Sequence, residues 1–223
     1  MAVNKENYFS ICEELKQKNA TLVAVSKTKS TEDILELYNL GQRDFGENYV
    51  QELLEKQKEL PQDIRWHFIG HLQSNKVKYL APFVHLIHGV DSFSLLKEIN
   101  KQGVKNNRQL GVLLQMHIAR EETKFGMNEE ELEQAINGYL EEKMSHVVVN
   151  GLMGMASFTG DKEIIRHEFD YLKNCFLFYK KSIPSFNILS MGMSSDYSIA
   201  LEEGSTIVRI GSLLFGQRNA ARQ

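Results

Sequence analysis

The sequence predicts an α/β chain closed into a single (β/α)8 barrel of the TIM type, with one additional helix at the N-terminus. Three observations carry that expectation. Apolar runs of strand length alternate with longer segments of helical periodicity from one end of the chain to the other. Eight such runs fit within 223 residues, the size of one larger α/β domain, so a single domain over residues 1–223 is expected. No GxGxxG follows the first apolar run, which counts against an open doubly wound sheet of the dinucleotide-binding kind.

The elements follow in order. An amphipathic segment opens the chain. The candidate strands are Leu22–Lys27, Asp44–Glu47, Trp66–Gly70, Leu86–Asp91, Leu110–His117, Val147–Met155, Asn187–Gly192 and Ile207–Gly211. Helical periodicity marks Thr31–Leu40, Val50–Glu59, Asn75–Ala81, Ser94–Asn106, Glu129–Glu142, Lys162–Ser182 and Tyr197–Glu202. Gly41 and Gly204 stand where helix C-caps belong. Alternating units of this kind give parallel strands buried on both faces, which close most economically into a barrel.

Composition narrows the function. The chain has 26 Lys plus Arg against 29 Asp plus Glu, a formal net charge of −3, and no basic stripe interleaved with aromatics. Nucleic acid is therefore not an expected partner. Cys12 and Cys175 are far apart, so neither a disulfide framework nor a cysteine zinc site is indicated. The N-terminal residues are charged throughout and no apolar run reaches membrane-spanning length, so no membrane association is expected and a cytoplasmic location is.

In a barrel, chemistry gathers where strands end and their side chains meet the βα loops. Here those ends read SKTKS, FGENY, FIGHLQSNK, GVDS, QMHIAREETKFG, GLMGMAS, SMGMSSD and RIGSLLFG. Side chains alternate along a strand, so if Val23 and Val25 fill the barrel, Lys27 points into its mouth. A desolvated amine there would have a depressed pKa, the state that attacks an aldehyde to form a Schiff base. A lysine that merely reaches water is the commoner arrangement on residue type alone. Lys29 reads as a loop lysine, with an electrostatic or transient-imine part in cofactor exchange as the alternative, and Lys124 as a solvent-exposed loop lysine, with a place beside the pocket or a partner surface as the alternative.

The last two strand ends supply context. Ser194, Ser195 and Asp196 follow a glycine and open a helix, while Gly211 and Ser212 follow the eighth run. Loops after the seventh and eighth strands commonly cradle phosphate in such barrels, although simple helix capping by the serines accounts for them equally well. Arg209 shares a face with Ile207 and Gly211, on the strand that closes against the one carrying Lys27. A barrel-interior Arg209 needs a partner; a surface arginine is the alternative. A lysine, an anion cradle and an interior arginine on adjoining strands suit an aldehyde with a phosphate tail, and pyridoxal 5′-phosphate (PLP) is the candidate cofactor. The methionines of GLMGMA and SMGM are expected to pack the barrel and its rim.

The blocks VAVSKTKS, FGENYVQE, WHFIGHLQSNK, EETKFG, GLMGMA, LSMGMSSD and VRIGSLLFG, in register over nearly the whole chain, resemble the pyridoxal phosphate homeostasis proteins. The resemblance implies a barrel like the N-terminal domain of alanine racemase, with PLP held as a Schiff base on Lys27. It places Arg209 near the pyridine nitrogen, Ser194, Ser195, Gly211 and Ser212 around the phosphate, and Asn48 at the side of the ring. Where this chain has His117, members of the family often have Asn.

The resemblance also implies a carrier that balances free and enzyme-bound PLP, exchanging it with apo PLP-dependent enzymes, rather than a catalyst. Racemisation needs acid/base groups on both faces of the substrate carbanion, and the chain ends soon after the eighth strand, without room for the additional domain that supplies the second face in racemases. An arginine beside the pyridine nitrogen would also disfavour its protonation. A monomer is expected. Two competing readings are a PLP-dependent racemase using Lys27 as base, and a metal-dependent hydrolase built on His67, His71, His85 and His88. The second lacks a carboxylate obviously placed with the histidines, and no metal is expected.

Overall fold

The computed structural model describes residues 3–216; the remainder of the domain expected over 1–223 lies outside the described residues. Eight parallel strands, β1 (Thr21–Val25), β2 (Asp44–Glu47), β3 (Arg65–Phe68), β4 (Leu86–Val90), β5 (Leu110–Gln115), β6 (Val147–Met153), β7 (Ile188–Ser190) and β8 (Ile207–Ile210), form a closed barrel in chain order. Closure is made by β1 against β8, in a register that sets Val23 opposite Arg209. The expected architecture is therefore the observed one.

Strand alternation divides the core. Val23, Leu86, Leu113, Met153 and Ile207 fill the barrel interior. Neighbouring residues such as Ala24, Ile87, Val112, Leu152 and Val208 face outward and are buried beneath the helices. Burying each large aliphatic side chain contributes roughly 1.5–3 kcal/mol, so the outer layer dominates the hydrophobic stabilisation.

Helices α1 (Lys5–Gln17), α2 (Thr31–Asn39), α3 (Val50–Glu59), α4 (Val77–Leu80), α5 (Phe93–Asn106), α6 (Glu129–Glu141), α7 (Lys162–Lys180), α8 (Tyr197–Glu202) and α9 (Ser212–Phe215) surround the strands. Their ends follow local chemistry. Asn128 and Glu131 form a reciprocal capping box on α6, and Asp161 accepts two backbone N–H bonds at the start of α7. Gly41 and Gly204 adopt φ of 108° and 89° just beyond α2 and α8, as their C-terminal positions predict.

Two differences from the sequence reading matter for the site. Every strand but β2 stops one or two residues before the apolar run does: β1 ends at Val25, which puts Lys27 in the following turn. The C-terminal residues of the runs leave the hydrogen-bond ladder because they turn over the rim into loops. The second difference is α9, a one-turn helix immediately after Gly211. Helix α1 packs beside it: Tyr8, Ile11 and Leu15 are buried in the outer core, Asn4 N donates to Leu214 O at 2.8 Å and Asn7 Nδ2 donates to Leu213 O at 2.9 Å. The added N-terminal helix thus supports the floor of the last βα loop.

Candidate functional site

At the C-terminal mouth of the barrel a cavity of about 380 Å³ is lined by Lys27, Asn48, Ser194, Ser195, Arg209, Gly211 and Ser212, together with Val25, Lys29, Ile69, Met155, Phe158, Met193 and Gly216. All seven residues singled out in the sequence reach this one space. They come from the ends of β1, β2, β7 and β8, which the closure of the barrel makes neighbours.

Lys27 is half-buried in the turn after β1, and that turn is anchored from below. Ser26 donates from its backbone N–H to Gly46 O at 3.0 Å and from Oγ to Glu47 Oε1 at 2.7 Å. Lys56 Nζ donates to Ser26 O and to Glu47 Oε1, both at 2.8 Å, and to Glu52 Oε1 at 2.6 Å. Glu52 in turn accepts from Thr28 N at 2.6 Å, holding a residue whose φ is 64°. Burial pushes the Glu47 carboxyl up, and the Lys56 ammonium opposes that shift. Glu47 and Lys56 are supports of this turn that the sequence did not disclose. Their only outward trace was a carboxylate in a buried strand end and a lysine on the apolar side of an adjacent helix.

Arg209 is in the interior, resolving that alternative: it is 4% exposed. Nη1 donates to Ser190 O at 3.0 Å and to Ser190 Oγ at 2.7 Å, and Nη2 donates to Gly154 O at 3.1 Å. Burial brings its pKa down to about 10, with the Asp196 carboxylate pulling the other way, so it is a cation at neutral pH.

The residues expected to cradle an anion lie at two short helix starts. Gly211 N donates to Ser194 Oγ at 3.3 Å, and Asp196 Oδ1 accepts from Met193 N at 2.6 Å, closing the loop before α8. A side chain at position 211 would put its Cβ 3.2 Å from Val25 O, so glycine lets β1 and this loop approach each other. Asn48 Oδ1 is buried without a hydrogen-bond partner.

The two other lysines are held. Lys29 Nζ donates to Phe215 O at 2.9 Å, at the C-terminal end of α9. Lys124 lies in a loop as expected but is half-buried rather than solvent-exposed: it donates to Ala156 O at 2.6 Å and pairs with Glu121 at 3.1 Å. Met153 fills the barrel, Met191 is buried outside it, and Met155 and Met193 line the cavity, as the methionine-rich segments led us to expect.

The histidines divide between the two mouths. His71 bonds Asp91 at 3.0 Å and stacks on Phe125, with centroids 4.1 Å apart, on the cavity side. His67 and His88 lie inside the barrel, and His85 is at the opposite, N-terminal mouth. A carboxylate does stand with them, contrary to expectation: ligand atoms of Asp44, His67 and His85 lie within 4.8 Å of one another. Asp44 Oδ1 accepts from Arg65 Nε at 2.7 Å, its Oδ2 from Arg65 Nη2, and His67 Nε2 is 3.0 Å from Oδ1. Its oxygens are thus engaged by a cation already. Register explains the omission, because β2 and β3 pair Asp44 with Arg65 and leave His67 diagonally above.

Comparison with known proteins agrees with this geometry. The family described as alanine racemase, N-terminal domain, matches residues 4–219. A pyridoxal phosphate homeostasis protein of Aquifex aeolicus is 44% identical over 204 residues, covering 89% of this chain and 87% of the relative. The Homo sapiens protein of that name is 40% identical over 215 residues, covering 91% and 78%. The structure of PipY from Synechococcus elongatus with PLP bound has a TM-score of 0.86 at 32% identity, covering 95% of this chain and 99% of that one. Alanine racemase from Bartonella henselae shares the fold, with a TM-score of 0.70 at 16% identity over 94% of this chain and 58% of its own. A barrel whose lysine, arginine and serine-glycine loops meet at one mouth, matched along nearly its full length by these relatives, belongs to the pyridoxal phosphate homeostasis protein family.

Proposed function

We propose that this chain binds PLP at the C-terminal mouth of its barrel and serves in PLP homeostasis, holding the cofactor on Lys27 as a Schiff base. The observation that carries the reading is the convergence of Lys27, Arg209, Ser194, Gly211 and Ser212 on one cavity. The residues fit the group. Lys27 supplies the amine for the aldehyde, with the aldehyde oxygen leaving as water; Ser194, Ser195, Ser212 and the Gly211 N–H suit the phosphate; the unpartnered Asn48 Oδ1 suits a donor at the ring edge. Arg209, cationic and fixed, would face the pyridine ring and oppose protonation of its nitrogen. When bound, PLP supplies an electrophilic aldehyde and an electron-withdrawing ring.

The role is that of a carrier exchanging PLP with apo PLP-dependent enzymes, as a monomer formed by one domain in the cytoplasm. Its support is the make-up of the cavity wall, where the described residues include no Tyr, His, Asp or Glu to act as a second acid/base group. No helix among the described residues is long and apolar enough to cross a membrane.

The test adds PLP to wild type and to Lys27→Ala, records visible imine absorbance, then reduces with borohydride and maps the modified lysine. Wild type should be modified at Lys27, and an equal covalent imine in Lys27→Ala would sink the assignment. For the carrier role, holo-protein incubated with a single-enantiomer amino acid should leave optical rotation unchanged; protein-dependent decay would establish a racemase instead.

A further inference from the structure

A continuous line of hydrogen bonds crosses the barrel interior, from Arg209 at the cavity to Asp44 at the opposite mouth. Arg209 Nη1 is 2.7 Å from Ser190 Oγ, Ser190 Oγ is 3.1 Å from His88 Nδ1, His88 Nε2 is 2.9 Å from His67 Nδ1, and His67 Nε2 is 3.0 Å from Asp44 Oδ1. Each of these side chains except Arg209 and Asp44 is 2% exposed or less.

With both rings neutral, the direction of every bond follows from the two ends. Arg65 can only donate, so both oxygens of Asp44 accept, and His67 Nε2 carries a hydrogen toward the carboxylate. In neutral His67 the Nδ1 atom is then an acceptor, which requires His88 Nε2 to donate. His88 Nδ1 is left as an acceptor and takes the single hydrogen of Ser190. The serine oxygen, having given its hydrogen away, receives the bond from Arg209. No polar atom in the line is left unsatisfied, and reversing one tautomer would set two donors or two acceptors face to face.

We propose that Asp44, His67, His88 and Ser190 are positioning residues for Arg209, a one-way hydrogen-bond chain that fixes its guanidinium toward the cofactor cavity from the far side of the barrel. The role assigned to Arg209 rests on the reading of that cavity as the PLP site. Arg209 has two backbone carbonyls besides, so the chain adds the contact that depends on a remote charge. The groups facing the histidines are Arg209 above, and Asp44, Arg65 and His85 below.

Two experiments test it. In apo wild type with ¹⁵N-labelled histidine, two-bond correlation spectra at pH 7 should show His67 and His88 both neutral with hydrogen on Nε2. Hydrogen on Nδ1 of either ring, or a doubly protonated His67, would overturn the chain without reference to PLP. Separately, Asp44→Asn and Ser190→Ala should each shift the imine absorbance band and weaken PLP binding about tenfold, the scale of one charge-assisted hydrogen bond, while Ser190→Thr restores both. Variants that lower the melting temperature but keep wild-type affinity and band position would overturn the positioning role. Failure of wild type itself to form an imine would instead overturn the cavity reading.

Discussion

The two mouths of the barrel use similar residues and treat them oppositely. At the N-terminal mouth, Asp44, Arg65 and His67 sit on strands and engage one another. At the C-terminal mouth, Lys27, Asn48, the serines and Gly211 sit in turns around an open space, and Asn48 Oδ1 has no partner. Charge at a strand end is therefore not by itself a sign of function. What separates the mouths is that the first closes on an ion pair, whereas the second surrounds a cavity beside which the buried Asn48 Oδ1 has no partner, a costly arrangement unless a ligand completes it.

The comparison breaks most completely if Lys27→Ala keeps covalent PLP; total loss of borohydride-fixed cofactor is expected, with folding intact because the turn is anchored through Ser26 instead. Next, Glu47→Ala should cost about 3 kcal/mol in urea unfolding, because it leaves the Lys56 ammonium buried beside fewer partners. It should also weaken imine formation, since the same carboxylate holds Ser26.

At the N-terminal mouth, burial raises the Asp44 pKa, but bonds from His67 and Arg65 outweigh burial and bring it down to about 2 from 3.8. A depressed carboxyl stabilises the fold above its unfolded pKa and loses that contribution as pH falls. About 2 kcal/mol should thus disappear between about pH 4 and pH 2, and denaturant midpoints against pH should show a flatter acid slope in Asp44→Asn.

Smaller effects separate tight from exposed contacts. Gly211→Ala should lower stability by about 1 kcal/mol and slow PLP capture, because the new Cβ crowds Val25 O and Val25 Cβ at 3.2 and 3.3 Å. Arg65→Gln should cost about 0.5–1 kcal/mol by chemical denaturation, its side chain being 48% exposed.

Alternation along the strands made part of the interior legible: parity placed Val23 inside and put Arg209 on one face with Ile207, leaving its interior position to be decided by the structure. Turn chemistry made Gly41 and Gly204 legible. The cavity was readable because its residues cluster at strand ends that barrel closure brings together. What was hidden depends on lateral register between strands. Asp44 meets His67 across 23 positions, Ser190 meets His88 across 102, and Lys56 reaches Glu47 from a neighbouring helix. Periodicity reports which face a residue occupies, not how far a neighbouring strand has slid. Helix α9 escaped notice because SLLF is too short to show a helical period.

The β1–β8 seam also orders events in time. It pairs Thr21 with Ile207 and is reinforced where Asn4 N donates to Leu214 O at 2.8 Å, so it joins opposite ends of the chain. Contacts of such sequence separation carry the largest loop-closure entropy and are slow to form. Lys27 and Arg209 flank this seam, so an almost complete barrel has strands and helices but has not yet brought the proposed site together. Capture of PLP during refolding would consequently serve as a clock for the closing step, lagging behind the recovery of helical signal.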